Sequence, residues 1–168
     1  MKLGVPMEPA GETRVAIAPS SMKKLLKAGF EVFIEKGAGV AANYLDADYE
    51  TAGAKMTTRK EVLSCETIIS IRFPGIEGIA KGTCLACVAD PFRNPEYVQA
   101  CIDGGVTLLS MDMIPRRLSR AQSMDVNSSQ DNLAGYKAVL LGAAHVPRGI
   151  PMMTTSAGTI RPAKVVIM

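Results

Sequence analysis

CLACVADPFRNPEYVQACIDGGVTLLS, residues 84–110, reads as strand, helix, strand. Cys84 to Val88 is a short apolar run of the kind buried in a parallel sheet. Asn94-Pro95 supplies an N-cap type followed by a first-turn proline, so a helix should run from there to about Asp103. Gly104-Gly105 ends it, and Val106 to Ser110 is the next strand. A strand, a helix of about three turns and a second strand make a crossover unit, which implies a parallel sheet and a right-handed connection.

Working outward, the same texture repeats. Leu3-Gly4-Val5, Phe30 to Ile34 and Thr67 to Ile71 are further strands, Val32 to Ile34 lying at the heart of the second. Ser20 or Ser21 can cap a helix carrying Met22, Leu25 and Leu26 and ending at Gly29; Asp46 to Ala52 is a short helix stopped by Gly53. The expected fold class is α/β: a Rossmann-like or flavodoxin-like parallel sheet with helices on both faces. After Ser110 the pattern changes. Asp112 to Asn127 is polar, with three arginines, and reads as a loop. Asn127-Ser128-Ser129-Gln130 has capping-box chemistry and opens a long helix through Leu133, Tyr136, Val139 and Leu140 to His145. Pro147, Gly149 and Pro151 break that helix, and Lys164-Val165-Val166-Ile167-Met168 reads as the start of a buried strand. Such a strand leads into a phosphate-binding glycine turn in doubly wound folds. The expected organisation is therefore an α/β subdomain over 1–127, a linking helix over 128–146, and the truncated start of a dinucleotide-binding domain over 147–168.

The 168 residues are 48% hydrophobic and 21% charged, a globular composition. A net charge of +3, scattered along the chain, is too small for a nucleic-acid footprint. No run approaches the roughly 18 apolar residues that span a bilayer, and Met1 to Pro6 has no signal-peptide core, so the chain is expected to be soluble and not itself inserted in a membrane. Cys84-x-x-Cys87 could be a redox pair or half of a zinc site. Its place in an apolar strand, with no second Cys/His pair, favours small buried hydrophobes, and no metal site is expected.

The chemistry concentrates in Arg117-Leu118-Ser119-Arg120-Ala121-Gln122-Ser123-Met124-Asp125-Val126-Asn127-Ser128. Two arginines, an amide, a carboxylate and hydroxyls run into a helix start, a set able to orient an anionic or amide-bearing ligand. On composition alone, a solvated loop with a helix cap is the better explanation.

The order of residues goes further, because this run resembles the nicotinamide-contacting loop of domain I, the NAD(H)-binding component of proton-translocating NAD(P) transhydrogenases. The resemblance continues through Gly4-Val5-Pro6, Glu8, Glu12-x-Arg14-Val15-Ala16, Glu35-x-Gly37-Ala38-Gly39, Tyr49 and Ala52-Gly53-Ala54. Asn94-Pro95-Glu96, Asn132-x-x-Gly135-Tyr136-x-Ala138 and Thr155-x-Ala157-Gly158-Thr159 extend it. The first half is shared with alanine dehydrogenases; the Arg-x-Ser-Arg-Ala-Gln-Ser-Met-Asp run is the transhydrogenase mark. The resemblance implies a portion of an alpha subunit of the Si/Re-specific enzyme, passing hydride between NADH and NADP⁺ while a membrane partner moves protons. Arg117, Leu118, Ser119 and Arg120 would touch NAD(H), Gln122 would hydrogen-bond near the nicotinamides, and Asp125 and Ser128 would complete the site, with Arg117, Gln122 and Asp125 closest to the hydride transfer. NADP(H) would sit on a partner subunit or domain. The protein would be a homodimer in the cytoplasm, held at the inner membrane through its partner subunits.

Two departures stand out: Pro115 is followed by two arginines, Arg116 and Arg117, where the family has one, and Met7 replaces a common basic residue. The rival reading is an alanine-dehydrogenase-like oxidoreductase. It requires a catalytic histidine where this chain has Asp90, although Arg72 stands at the position of that enzyme's substrate lysine. A non-catalytic α/β binding module is the third reading.

Overall fold

The computed structural model describes residues 1–167. The chain divides into two compact units, 1–124 and 125–168. The first contains β1 (Lys2–Val5), α1 (Met22–Lys27), β2 (Glu31–Glu35), α2 (Asp46–Thr51), β3 (Lys55–Thr57), α3 (Arg59–Leu63), β4 (Thr67–Arg72), β5 (Cys84–Val88), α4 (Pro95–Gly104) and β6 (Thr107–Ser110). Every described pairing in its sheet is parallel, in the order β3-β2-β1-β4-β5-β6. This is the doubly wound architecture expected from the sequence.

Strand order and constant crossover handedness together put helices on both faces. From β1 to β3 the chain steps one way across the sheet; from β3 to β6 it steps back the other way, so its crossovers change face. On the first face Leu3, Val5, Val32 and Ile34 pack with Met22 of α1 and Tyr49 of α2. The Tyr49 hydroxyl donates to the Ile17 carbonyl at 2.8 Å, and burial lifts its pKa to about 12. On the second face Ile68, Leu85 and Cys87 pack with Leu63 of α3 and Cys101 of α4. Gly4, which pairs with Ile68 across β1 and β4, shares that face. A Cβ there would collide with the Val62 carbonyl, so only glycine lets α3 lie this close to β1.

The sequence reading misses β3 and α3. Lys55–Thr57 is three residues long, and α3 is a five-residue helix whose apolar content is Val62 and Leu63. Its N-terminus nevertheless carries a capping box, Thr58 with Glu61.

The second unit holds α5 (Val126–His145) and an antiparallel pair, β7 (Met153–Thr155) and β8 (Gly158–Ile160). Two sequence expectations are corrected in it. The cap of α5 is Asp125, two residues before the predicted Asn127: its carboxylate accepts from the Ser128 amide at 3.0 Å and the Ser128 hydroxyl at 2.5 Å. Either residue is a good cap by type. Residues 164–167 form no strand, and Val165, Val166 and Ile167 are exposed, because no described strand lies beside them to share a ladder. Met168, the last residue of that expected strand, lies outside the described residues.

Candidate functional site

Beyond β6 the chain makes a 3-10 turn at Met111–Met113, passes Pro115, and closes a second turn in which the Ala121 and Gln122 amides donate to the Leu118 carbonyl at 2.8 and 3.1 Å. Ala121 in this turn is buried. Around it Arg117, Leu118, Ser119, Arg120 and Gln122 are all exposed. The two arginines and the glutamine are therefore open to solvent. Asp125 and Ser128 belong to the second unit, where their mutual bonds build the first turn of α5. Their structural role as a cap is fully visible.

The carboxyl ends of the parallel strands form the other candidate region. Open α/β sheets bind ligands in the crevice where strand order reverses, which here lies between β1 and β4. The Pro6–Ala16 segment crosses that crevice. Glu8 accepts the Ile71 and Arg72 amides at 2.6 and 2.9 Å. Burial raises its pKa in spite of those two bonds. Glu12 accepts from Arg14 Nε and Nη2 at 2.7 and 2.6 Å and from Arg72 Nε at 3.0 Å. The Arg14 guanidinium, with help from Arg72, holds the Glu12 carboxyl down at about 2. In the sequence Glu8, Glu12 and Arg14 stand out only as family marks; their spacing gives no sign that they meet residues some sixty positions away.

At the end of β5, Asp90 has φ +46°, and its carbonyl accepts the Arg93 and Asn94 amides. Asp112 receives the Ala89 amide at 3.2 Å and the Ser110 hydroxyl at 2.6 Å, tying the ends of β5 and β6 together. The first unit contains no histidine. His145 sits in the last turn of α5 with Nδ1 2.8 Å from the Leu141 carbonyl, so its ring occupies a helix end. Cys84 and Cys87, three residues apart on one strand, point to opposite sides of the sheet. Burial pushes the Cys87 thiol up to about 12, far from a reactive thiolate, and no group of metal-binding side chains occurs among the described residues.

Gly37-Ala38-Gly39-Val40-Ala41-Ala42 follows β2 with the glycine spacing of a dinucleotide fingerprint. Here it opens only a three-residue 3-10 turn, and the Gly37 amide is given to the Asp46 carboxylate at 2.9 Å. Gly39 is needed because a Cβ would strike the Tyr49 ring. Of the run, Ala38 and Gly39 are buried against the core, while Val40 is exposed.

Residues 4–134 match the family described as alanine dehydrogenase/PNT, N-terminal domain. The chain belongs to that family. Within it, the chain is 42% identical to the first part of the NAD(P) transhydrogenase alpha subunit of Rhodospirillum rubrum, over 99% of its own length and 46% of that protein's. A transhydrogenase structure from Sinorhizobium meliloti superposes with a TM-score of 0.91 at 40% identity, covering 97% of this chain and 50% of the other. An L-alanine dehydrogenase structure reaches a TM-score of 0.66 at 29% identity over 72% of this chain and 34% of the other. The chain thus spans about half or less of the length of these relatives. No helix among the described residues is long and apolar enough to cross a membrane.

Proposed function

We propose that this member of the family forms the front portion of an NAD(P) transhydrogenase alpha subunit that passes hydride between NADH and NADP⁺. One observation carries the reading: the chain is 42% identical to a transhydrogenase alpha subunit over 99% of its length and superposes on a transhydrogenase with a TM-score of 0.91, against 29% identity and a TM-score of 0.66 for alanine dehydrogenases. In this reading Arg117, Leu118, Ser119 and Arg120 bind NAD(H), Gln122 orients its nicotinamide amide, and Asp125 and Ser128 are the further residues of the site, which also cap α5. The donor set suits that role, since two exposed guanidinium groups pair with phosphate or carboxamide oxygen, and an exposed amide offers both donor and acceptor. The nicotinamide supplies the hydride chemistry; the chain's residues position it and exclude water.

NADP(H) belongs to a partner subunit or domain. The complex is of the Si/Re-specific type and couples transfer to proton movement through membrane subunits. The alpha subunit is a homodimer at the cytoplasmic side of the inner membrane. Asp90 in place of a catalytic histidine speaks against an alanine dehydrogenase.

Single-turnover hydride transfer from NADH, measured in the assembled complex, tests the reading beside L-alanine-dependent NAD⁺ reduction. Transfer with no alanine activity is expected. Alanine-dependent NADH production that Arg72→Ala abolishes would overturn it.

A further inference from the structure

We propose that the cavity at the amino ends of β1 and β3 binds a planar aromatic monocarboxylate, its ring lying against Phe33 and its carboxylate on Lys2.

The cavity follows from how short α3 is. On the second face of the sheet, Val62 of α3 and Cys65 just beyond it close on Gly4 of β1. The five residues of α3 leave the neighbouring Phe33 of β2 half-buried. A cavity of about 440 Å³ opens there, with Phe33, Thr57, Ser64 and Cys65 among its walls, together with Lys2 and Lys55. That volume suits a ligand of one or two rings, since small-molecule sites run from about 300 to 1,000 Å³. Lys2 and Lys55 are the first residues of β1 and β3, so the cavity lies at the opposite end of the strands from the crevice crossed by Pro6–Ala16.

Strand register makes the side chains converge. Lys2 pairs with Glu31, while Gly4 and Lys55 pair with Phe33, which puts all five residues on one face. Gly4 has no side chain to cover the ring. The Lys2 and Lys55 ammonium groups stand 5.7 and 5.5 Å from its centroid. Both are near the roughly 6 Å limit of a cation–π contact, and like charges on one ring repel unless an anion lies between them. Glu31 forms an ion pair with Lys55. Among the described residues no carboxylate pairs with the Lys2 ammonium, which is the open position for the ligand's acid.

The nearby carboxylates limit the ligand to one negative charge. Glu61 accepts from the Thr58 amide and hydroxyl at 3.4 and 3.3 Å, and Glu66 accepts the Lys2 amide at 2.9 Å. Together with Glu31 they would repel a phosphate or a dicarboxylate. Phe33 and the methylene stems of the two lysines offer the apolar contact that an aromatic ring requires. Burial raises the Cys65 thiol, so it serves as wall and not as nucleophile.

Titration of the 168-residue chain with 1-naphthoate, followed by amide chemical shifts, tests the site. Saturable shifts at Lys2, Phe33, Thr57 and Cys65 are expected, with a dissociation constant of about 1 mM. Acetate and the neutral analogue 1-naphthalenemethanol should each bind at least about tenfold more weakly, since each lacks half of the recognition. Lys2→Met keeps the stem and removes the charge, so it should abolish the preference for acid over alcohol. Phe33→Leu should weaken both aromatic ligands. Equal affinity for acid and alcohol, unchanged naphthoate binding in Lys2→Met, or shifts centred on Arg72 or Arg120 instead would each overturn the proposal, as would the lack of any saturable shift. If Phe33→Leu does not fold, Lys2→Met, at an exposed position, decides alone.

Discussion

Glu8 and Glu12, four residues apart in the Pro6–Ala16 segment, titrate in opposite directions. Glu12 has its folded pKa lowered from 4.5 to about 2, chiefly by the Arg14 hydrogen bonds. Its contribution to stability is complete above pH 4.5 and is lost as pH falls from there towards 2. At about 1.4 kcal/mol for each pKa unit, its ceiling is roughly 3 kcal/mol, reduced by screening because both partner guanidinium groups are half exposed. Glu8 is raised by burial, so stability gains as acid first protonates it. Thermal unfolding should therefore hold steady or rise slightly on acidification from neutrality, then drop between pH 4.5 and 2. Glu12→Gln should make that acid limb shallower; an unchanged limb would remove Glu12 from the account. A second residue-scale expectation concerns Gln122. If its amide positions the nicotinamide, Gln122→Asn withdraws it by one methylene. A misplacement of about 1 Å costs on the order of 100-fold in transfer rate, whereas one neutral hydrogen bond contributes about 0.5–1.5 kcal/mol to binding. Stopped-flow transfer in the assembled complex should slow far more than NADH affinity falls. Equal losses in both would make Gln122 a binding residue only.

Among the elements, those with a strong local signature are legible in the sequence and the others are not. The strands at Leu3–Val5, Val32–Ile34, Thr67–Ile71 and Cys84–Val88 announce themselves by apolar runs, and Pro95 and Gly105 mark the ends of α4. β3 and α3 do not, because three and five residues are too few for a period to register. Residue type alone misplaces the cap of α5, since Asp125 and Asn127 are equally good, and only the Ser128 bonds choose between them. The strand expected over 164–168 is absent from its described residues, 164–167, for a different reason: an apolar run becomes a strand only beside a neighbour. The same dependence on neighbours shows across the sheet. Ile69, Ala86 and Leu109 form one row, and its cover thins from half-buried Ile69 to Leu109, which is 51% exposed. Every crossover after β3 lies on the other face, where Leu108 packs against the second core cluster. Leu108→Ala should cost about 2 kcal/mol or more, and Leu109→Ser within about 0.5 kcal/mol of nothing. Chemical denaturation of the chain measures both. A large loss at Leu109 would mean that the outer row is covered after all.

At the scale of the whole molecule, the order of residues from Arg117 to Asp125 carries the nicotinamide end of the proposed site, but a dinucleotide also needs its pyrophosphate held. That takes backbone amides at a glycine turn leading into a helix, where several N–H groups and the helix dipole converge. The run with suitable glycine spacing, Gly37 to Ala42, cannot serve: its first amide is bonded to Asp46, a carboxylate that would repel phosphate, and the turn after it is three residues long. What remains in the 168 residues is an exposed turn with Arg117, Arg120 and Gln122. Exposed charge pairs contribute roughly 0–1 kcal/mol each, and a dissociation constant of about 1 mM already requires about 4 kcal/mol. The chain alone should therefore bind NADH more weakly than about 1 mM, and what binding there is should fade with added salt. Calorimetric titration at low and high ionic strength measures this. Micromolar affinity that survives salt would place a pyrophosphate cradle within these residues, and the assignment of NAD(H) contacts to the Arg117–Gln122 turn would then have to give way to that cradle.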